Sequence, residues 1–171
     1  EAVVDGKYSI RVYLRALEES WRRYAGLNIL RFEDHARFCY HLPFTRMAEK
    51  AHAHLARHCG TSGDFETKVG AGLLYNRLAG NSYTGSLFMA LASLFDHDAA
   101  DLGGQRVGLF SYGSGCMGAF FSGRVQKDYR THLRTTAHAA MFAARQAVSF
   151  PDYLGWQAFF HETGEIFCFG N

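Results

Sequence analysis

Residues 37–50, RFCYHLPFTRMAEK, constrain the fold more than any other stretch. Phe38, Cys39 and Tyr40 predict a short buried strand with His41 at its end. Pro43 stops the strand, and Thr45 is expected to cap the helix that follows. A strand that gives way to a helix opens a crevice at the strand's C-terminal end, where α/β folds commonly hold ligands. An imidazole there exchanges protons near neutral pH. Arg46 and Lys50 follow on the first helical turns, where backbone N–H groups favour anions. Taken alone, a strand-end His is more often a structural residue than a reactive one. Only the rest of the chain decides between these two readings.

A chain of 171 residues suffices for one ordinary core. Nearly half of it is apolar (48%) and 15% is aromatic, which excludes a disordered chain. The net charge of +2 and the lack of a dense Lys/Arg block argue against nucleic acid as partner. No apolar run reaches membrane-spanning length and no signal peptide is visible. The four cysteines, Cys39, Cys59, Cys116 and Cys168, form no CxxC pair, so a reduced, cytoplasmic protein is expected. The chain starts on Glu1 and stops at Asn171, just after a strand-like run, which suggests a fragment, a processed chain or one half of a split protein.

Asp5-Gly6 is read as a turn and Ser9 as an N-cap, followed by a helix to about Ala25 that Gly26 ends. Ile10, Tyr13, Leu14, Leu17, Trp21 and Tyr24 share one face, with Glu18/Arg22 and Glu19/Arg23 as i,i+4 pairs on the other. Nothing on this helix looks reactive, so it is read as scaffold. The helix after Pro43 is predicted to run to about Cys59. Its His54 and His58 have the spacing of two metal ligands, but no third ligand accompanies them, and a solvated face is the expectation. A further helix is predicted over residues 65–78 with Val69, Leu73, Leu74 and Leu78 inward, broken by Gly80-Asn81. Residues 84–95 are apolar nearly all round and predict a buried helix. Strands over 106–112 and 116–125 around Gly113-Ser114-Gly115 predict a hairpin. Residues 128–148 are expected to be mostly helical, Pro151 to sit in the first turn of a helix through Phe160, and residues 166–169 to form an edge strand.

Three short segments place a polar group at a turn: His41 in HLPF, Asn81 in AGNSYTGS and Ser114 in YGSG. If they converge, His41 and Asn81 would donate hydrogen bonds to an oxygen that gains charge, and backbone N–H groups around Gly113 would serve a second oxygen. The competing readings are a helix-capping Asn and a plain hairpin tip. Cys116, beside the glycine turn, invites a Cys–His pair with His41. Neither Cys116 nor Cys39 has the helix N-terminus or cationic neighbour that reactive thiols favour, and both are read as buried small residues. GSGCM also lacks the GxSxG elbow of serine hydrolases.

Together, VDGKYSIRVYLRALEESWRRY, FCYHLPFTRMAEKAH, YNRLAGNSYTGSLFMALASL and RVGLFSYGSGCMGAFFSG resemble the 3-hydroxy-3-methylglutaryl-CoA synthase family, a branch of the thiolase fold, over about residues 4–169. The resemblance implies an α/β fold: the C-terminal half of a thiolase-like architecture, a mixed sheet with packed helices, one of them buried. It implies an acyltransferase that joins an acetyl group to an acetoacetyl thioester. An acetyl thioester forms on a Cys, a Glu removes a methyl proton, the enolate attacks the acceptor ketone, and water releases the product. His41 matches the residue that polarises the ketone, Asn81 one that supports the same oxygen, and Ser114 one beside the acyl thioester. Pro43, Tyr112 and Gly113 complete the implied binding set. Arg46, where the family often carries Lys, and Lys50 fall along the carrier's phosphate or pantetheine path; Arg for Lys keeps the charge and changes the geometry. The nucleophilic Cys and basic Glu belong to an N-terminal half absent from residues 1–171, so this stretch alone is expected to be inactive in condensation. No cofactor or metal is implied beyond the substrates themselves, acetyl-CoA and acetoacetyl-CoA. The resemblance also implies a homodimer and, for the CoA enzymes, the mevalonate pathway. GSGC, FFSG and DFETKVGAGLLY are similar to the synthases of polyketide β-branching, whose acceptor rides on the phosphopantetheine of an acyl carrier protein. HLPFTRM and NSYTGSL are more similar to the CoA enzymes. A non-catalytic binding or assembly subunit is the third reading.

Overall fold

In the first helix, α1 (Gly6–Asn28), Tyr13, Leu17, Trp21 and Tyr24 recur every three to four residues and are all buried. The structure is a computed structural model that describes residues 6–163, the side chains of Ser114 and of residues 159–163 excepted. The helix runs past Gly26 to Asn28. Of its expected ion pairs, Glu19–Arg23 stands at 3.9 Å, and Glu19 lies closer to Arg22, at 2.7 Å. Glu18 does not reach Arg22 but turns to the next helix, 3.0 Å from His54 Nε2 and 3.5 Å from His58 Nδ1.

Strand β1 (Arg37–Tyr40) lies parallel to β2 (Arg106–Gly113), which pairs antiparallel with β3 (Met117–Arg124) in a mixed sheet of order β1-β2-β3. Because side chains alternate across a strand, the sheet sorts its residues onto two faces. Phe38, Tyr40, Phe110 and Phe120 face α1 and α2 (Met47–His58). Cys39, Val107 and Leu109 pack with Leu87, Ala90 and Leu94 of α5 (Gly85–His97). A Cβ added to Gly108 would lie 2.9 Å from both Phe38 Cδ1 and Phe120 Cζ, so the two rings meet over a position where only glycine fits.

Several expectations need correction. Thr45 does not cap α2; Arg46 occupies that position with no side-chain cap bond, and Thr45 contributes only its carbonyl, to Ala48 N–H at 3.1 Å. Residues 65–78 form α3 (Phe65–Val69), a 3-10 turn (Gly70–Leu73) and α4 (Leu74–Ala79) rather than one helix. The break lets Gly72 sit against α5, where an added Cβ would stand 3.2 Å from the Ala90 carbonyl oxygen. The shift in phase keeps Val69 and Leu73 buried and turns Leu74 and Leu78 outward. Helix α5 is buried along one face only, and Phe88 is 62% exposed. In place of one helix over 128–148, a 3-10 turn (Tyr129–His132) brings Tyr129 into the core under Leu102, whose N–H donates to its hydroxyl at 3.3 Å.

The chain divides into two compact units, the first ending at Arg134. The second contains α6 (Thr135–Ala143) and α7 (Phe150–Thr163). Ser149 caps α7, accepting from Asp152 N–H at 3.2 Å, and Pro151 sits in its first turn as expected. The strand expected over residues 166–169, and Cys168 with it, lie outside the described residues. Among the described residues no helix is long and apolar enough to cross a membrane.

Candidate active site

At the C-terminal end of β1, within the first unit, a cleft of about 1240 Å³ opens. Among its lining residues are His41 and Pro43 from the strand end, Asn81 from the loop before α5, and Tyr112 and Gly113 from the end of β2. His41, Asn81 and the adjacent pair Tyr112 and Gly113, three places widely separated in sequence, thus line one cleft. The backbone of Ser114 continues the turn that follows Gly113. Its side chain, expected at the thioester, lies outside the described residues.

Hydrogen bonds position His41 from several sides. Its N–H donates to the Phe110 carbonyl at 2.8 Å, extending the β1–β2 ladder by one residue. The buried Tyr13 hydroxyl donates to the His41 carbonyl at 2.8 Å. Burial pushes the Tyr13 phenol far above its ordinary range, so it remains a donor at any physiological pH. His41 itself is only 8% exposed, and its Nδ1 has no hydrogen-bond partner. Desolvation lowers its pKa below the ordinary 6.5, so the imidazole is neutral at neutral pH and carries a single N–H.

Asn81 follows Gly80, whose φ of 81° ends α4. The Asn81 Oδ1 accepts from Tyr83 N–H at 2.9 Å, which occupies the oxygen and leaves its amide NH2 to donate. The Tyr112 ring stands 5.1 Å from that of Tyr13 and 6.1 Å from that of His41. Burial raises the Tyr112 pKa, with a hydrogen bond to Cys116 adding to the shift.

Arg46 and Lys50 do not line this cleft. Ala48, Ala51 and Leu55 turn the buried face of α2 inward, and Lys50 falls on the other face. It borders a separate groove with Leu14, Glu49 and Arg57, its Nζ 6.0 Å from the ring of Phe44, which does line the cleft. The two cysteines part company. Cys39 is buried and its thiol is pushed up to about 12, whereas Cys116, expected to be buried, is exposed in the cleft at a φ of 60°. Sequence reasoning missed Ser9, Ile10 and Tyr13, which make α1 a wall of the cleft as well as scaffold. No local signal marks them, because Tyr13 sits on the apolar stripe that any packed helix shows. Among the described residues no group of three or more His, Cys, Asp or Glu side chains could hold a metal ion.

The fold has close counterparts. It is thiolase-like, and solved structures of two kinds share it. One, MvaS in complex with 3-hydroxy-3-methylglutaryl coenzyme A, is 37% identical with a TM-score of 0.78, over 90% of this chain and 44% of that one. The other, the HMG synthase of the curacin biosynthetic pathway in complex with holo donor-ACP, is 30% identical with a TM-score of 0.81, over 88% and 38%. Residues 58–154 match the family model described as hydroxymethylglutaryl-coenzyme A synthase C terminal, so the chain belongs to the hydroxymethylglutaryl-CoA synthase family. The hydroxymethylglutaryl-CoA synthase of Enterococcus faecalis is 33% identical over 94% of this chain and 42% of its own length. The polyketide biosynthesis 3-hydroxy-3-methylglutaryl-ACP synthase PksG of Bacillus subtilis is 34% identical over 87% and 37%. The chain thus spans less than half the length of these relatives.

Proposed function

We propose that this chain is the acceptor-side portion of a hydroxymethylglutaryl-CoA synthase, an acyltransferase that condenses an acetyl group with an acetoacetyl thioester. The observation that carries the reading is the shared cleft of His41 and Asn81: a nearly buried neutral imidazole and a carboxamide whose NH2 is uncommitted. A ketone oxygen between them receives two hydrogen bonds that strengthen as it becomes an alkoxide. The neutral His41 donates its single N–H to that alkoxide and, where the proton passes across, the imidazolate left behind is reprotonated from solvent. Tyr112 and Pro43 form apolar walls that exclude water, and the Gly113–Ser114 turn flanks the thioester side. Arg46 and Lys50, outside the cleft, serve the phosphate-bearing end of the carrier. The acyl-forming Cys and the base Glu come from the remainder of the family's length, and no cofactor takes part beyond the thioester substrates. The assembled enzyme is a cytoplasmic homodimer.

A second reading, a synthase whose acceptor rides on an acyl carrier protein, is favoured by the likeness to PksG and the curacin enzyme at nearly the same identity. Comparing acetoacetyl-CoA with acetoacetyl carrier protein as acceptor separates the two. In the whole gene product, His41→Ala should lower condensation by about 100-fold or more while leaving acetylation of the nucleophile within a few-fold. Equal loss of both steps would refute the assigned role.

A further inference from the structure

A single peptide unit, the one joining His41 to Leu42, is gripped from both sides. Its carbonyl accepts from the Tyr13 hydroxyl of α1 at 2.8 Å, and its N–H donates to the Ser86 Oγ of α5 at 2.9 Å. Opposed bonds to the two ends of one rigid plane leave the dihedrals on either side of it little freedom, and the first of those belongs to His41. Ser86 is fully buried at the second position of α5, where a serine ordinarily turns back to its own helix.

Ser86 has a second connection. Its carbonyl accepts from Asn76 Nδ2 at 3.0 Å, and its N–H donates to the Tyr83 carbonyl at 3.0 Å. Asn76 is also buried, and its own carbonyl accepts from Gly80 N–H at 2.9 Å. Asn76 and Ser86 therefore close the base of the loop that carries Asn81, whose Oδ1 is bound in turn to Tyr83 N–H. One serine holds the His41 end of β1 with its side chain and the Asn81 loop with its main chain.

We propose that Ser86 is a positioning residue that sets His41 and Asn81 at a fixed separation across the cleft. This rests on the reading of that cleft as the ketone site. The residue touches no reacting atom. Its effect is to hold the two donors where the developing alkoxide needs them, and a displacement near 1 Å in such a constellation costs about 100-fold in rate.

The fold supplies its own comparison. Ser93 lies seven residues further along α5, is equally buried, donates to the Ala71 carbonyl at 2.6 Å and accepts from Tyr75 N–H at 3.4 Å. Neither serine lines the cleft; the partners of the Ser93 hydroxyl, Ala71 and Tyr75, do not line it either, whereas Ser86 holds the peptide that follows His41. In the whole gene product, Ser86→Ala should lower kcat for condensation about 10- to 100-fold with KM within about threefold, and speed hydrogen exchange at the Leu42 amide about tenfold. Ser93→Ala should leave kcat within about twofold and Leu42 exchange unchanged. Asn76→Leu, which keeps the Ser86 hydroxyl, should speed exchange at Tyr83 and Ser86 and lower kcat by a smaller factor; it carries the test if Ser86→Ala does not fold. Equal kcat losses in the two serine variants, or faster Leu42 exchange with an unchanged kcat, would overturn the proposal. Full condensation activity in His41→Ala would instead sink the reading of the cleft, and the exchange rates of the two serine variants would still decide whether the clamp exists.

Discussion

The two faces of the sheet solve the same burial problem with different chemistry. Toward α1 and α2 the interior is aromatic: Trp21 stands 4.9 Å from Phe120, 5.3 Å from His35 and 6.4 Å from Phe38, ring centre to ring centre. Two buried imidazoles are wired into that face, His35 Nε2 to the Tyr24 hydroxyl at 2.8 Å and His52 Nδ1 to the Tyr40 hydroxyl at 2.9 Å. Toward α5 the interior is mainly aliphatic, Leu87, Leu94, Leu102, Val107 and Leu109 with Tyr129 as the aromatic exception, and its buried polar groups are Ser86, Ser93 and Asn76. Flat rings with polar edges meet at defined angles, whereas aliphatic side chains interdigitate and relax. The aromatic face carries Tyr13 and with it one grip on the peptide after His41; the mainly aliphatic face carries Ser86 and the other.

The largest test of this contrast is truncation. Trp21→Ala should cost about 3–5 kcal/mol in urea unfolding, because no neighbouring ring can collapse into its place. Leu94→Ala should fall toward the lower end of about 2–5 kcal/mol, since the aliphatic layer closes more readily. A reversed order would end the comparison.

Acid should separate the faces next. Burial, with Lys68 adding and Asp64 opposing, pushes the His52 imidazole down from 6.5 to about 4. The unfolded chain then takes up a proton near 6.5 that the folded chain refuses until about 4. This contribution to stability is therefore complete above that window, declines as pH falls through it and is gone below. His35 shifts in the same direction, mainly by burial. Melting curves between pH 7.5 and 4.5 should show His52→Gln losing less stability on acidification than the native chain, with the residual slope left to His35 and the carboxylates. Parallel slopes would mean that His52 is not the group being protonated.

The smallest effect belongs to the surface. Glu18, half in solvent, pairs with His54 and His58 across α1 and α2. Glu18→Gln should change stability by less than about 1 kcal/mol, read from the same unfolding curves. A larger loss would make that pair of histidines part of the architecture rather than a solvated face.

Much of this organisation is legible in order along the chain. The stripe on α1, the strand at Phe38–Cys39–Tyr40 and the hairpin at Gly113–Gly115 follow from periodicity and turn chemistry, which are local. The segment over residues 65–78 was not legible, because its break answers a contact with α5 rather than any preference of its own. The same holds for Tyr129, pulled from a helical pattern into the core, and for Glu18, whose partners lie on another helix. At the site, His41, Asn81, Tyr112 and Gly113 could be named from their segments and from family resemblance. Tyr13, Ser86 and Asn76 could not, since a tyrosine on an apolar stripe and polar residues within helices look ordinary until the chain folds.

The order of residues alone settled which elements form, which of their sides turn inward and which polar groups end up at turns, because each depends on near neighbours and on the repeat of helix or strand. Tertiary structure alone decided that Cys116 faces the cleft while Cys39 is sealed away, that Lys50 points elsewhere, and that one peptide of the His41 strand is held between two helices. Those outcomes depend on distances between segments far apart in the chain, and such distances come into being only when the sheet and its helices pack.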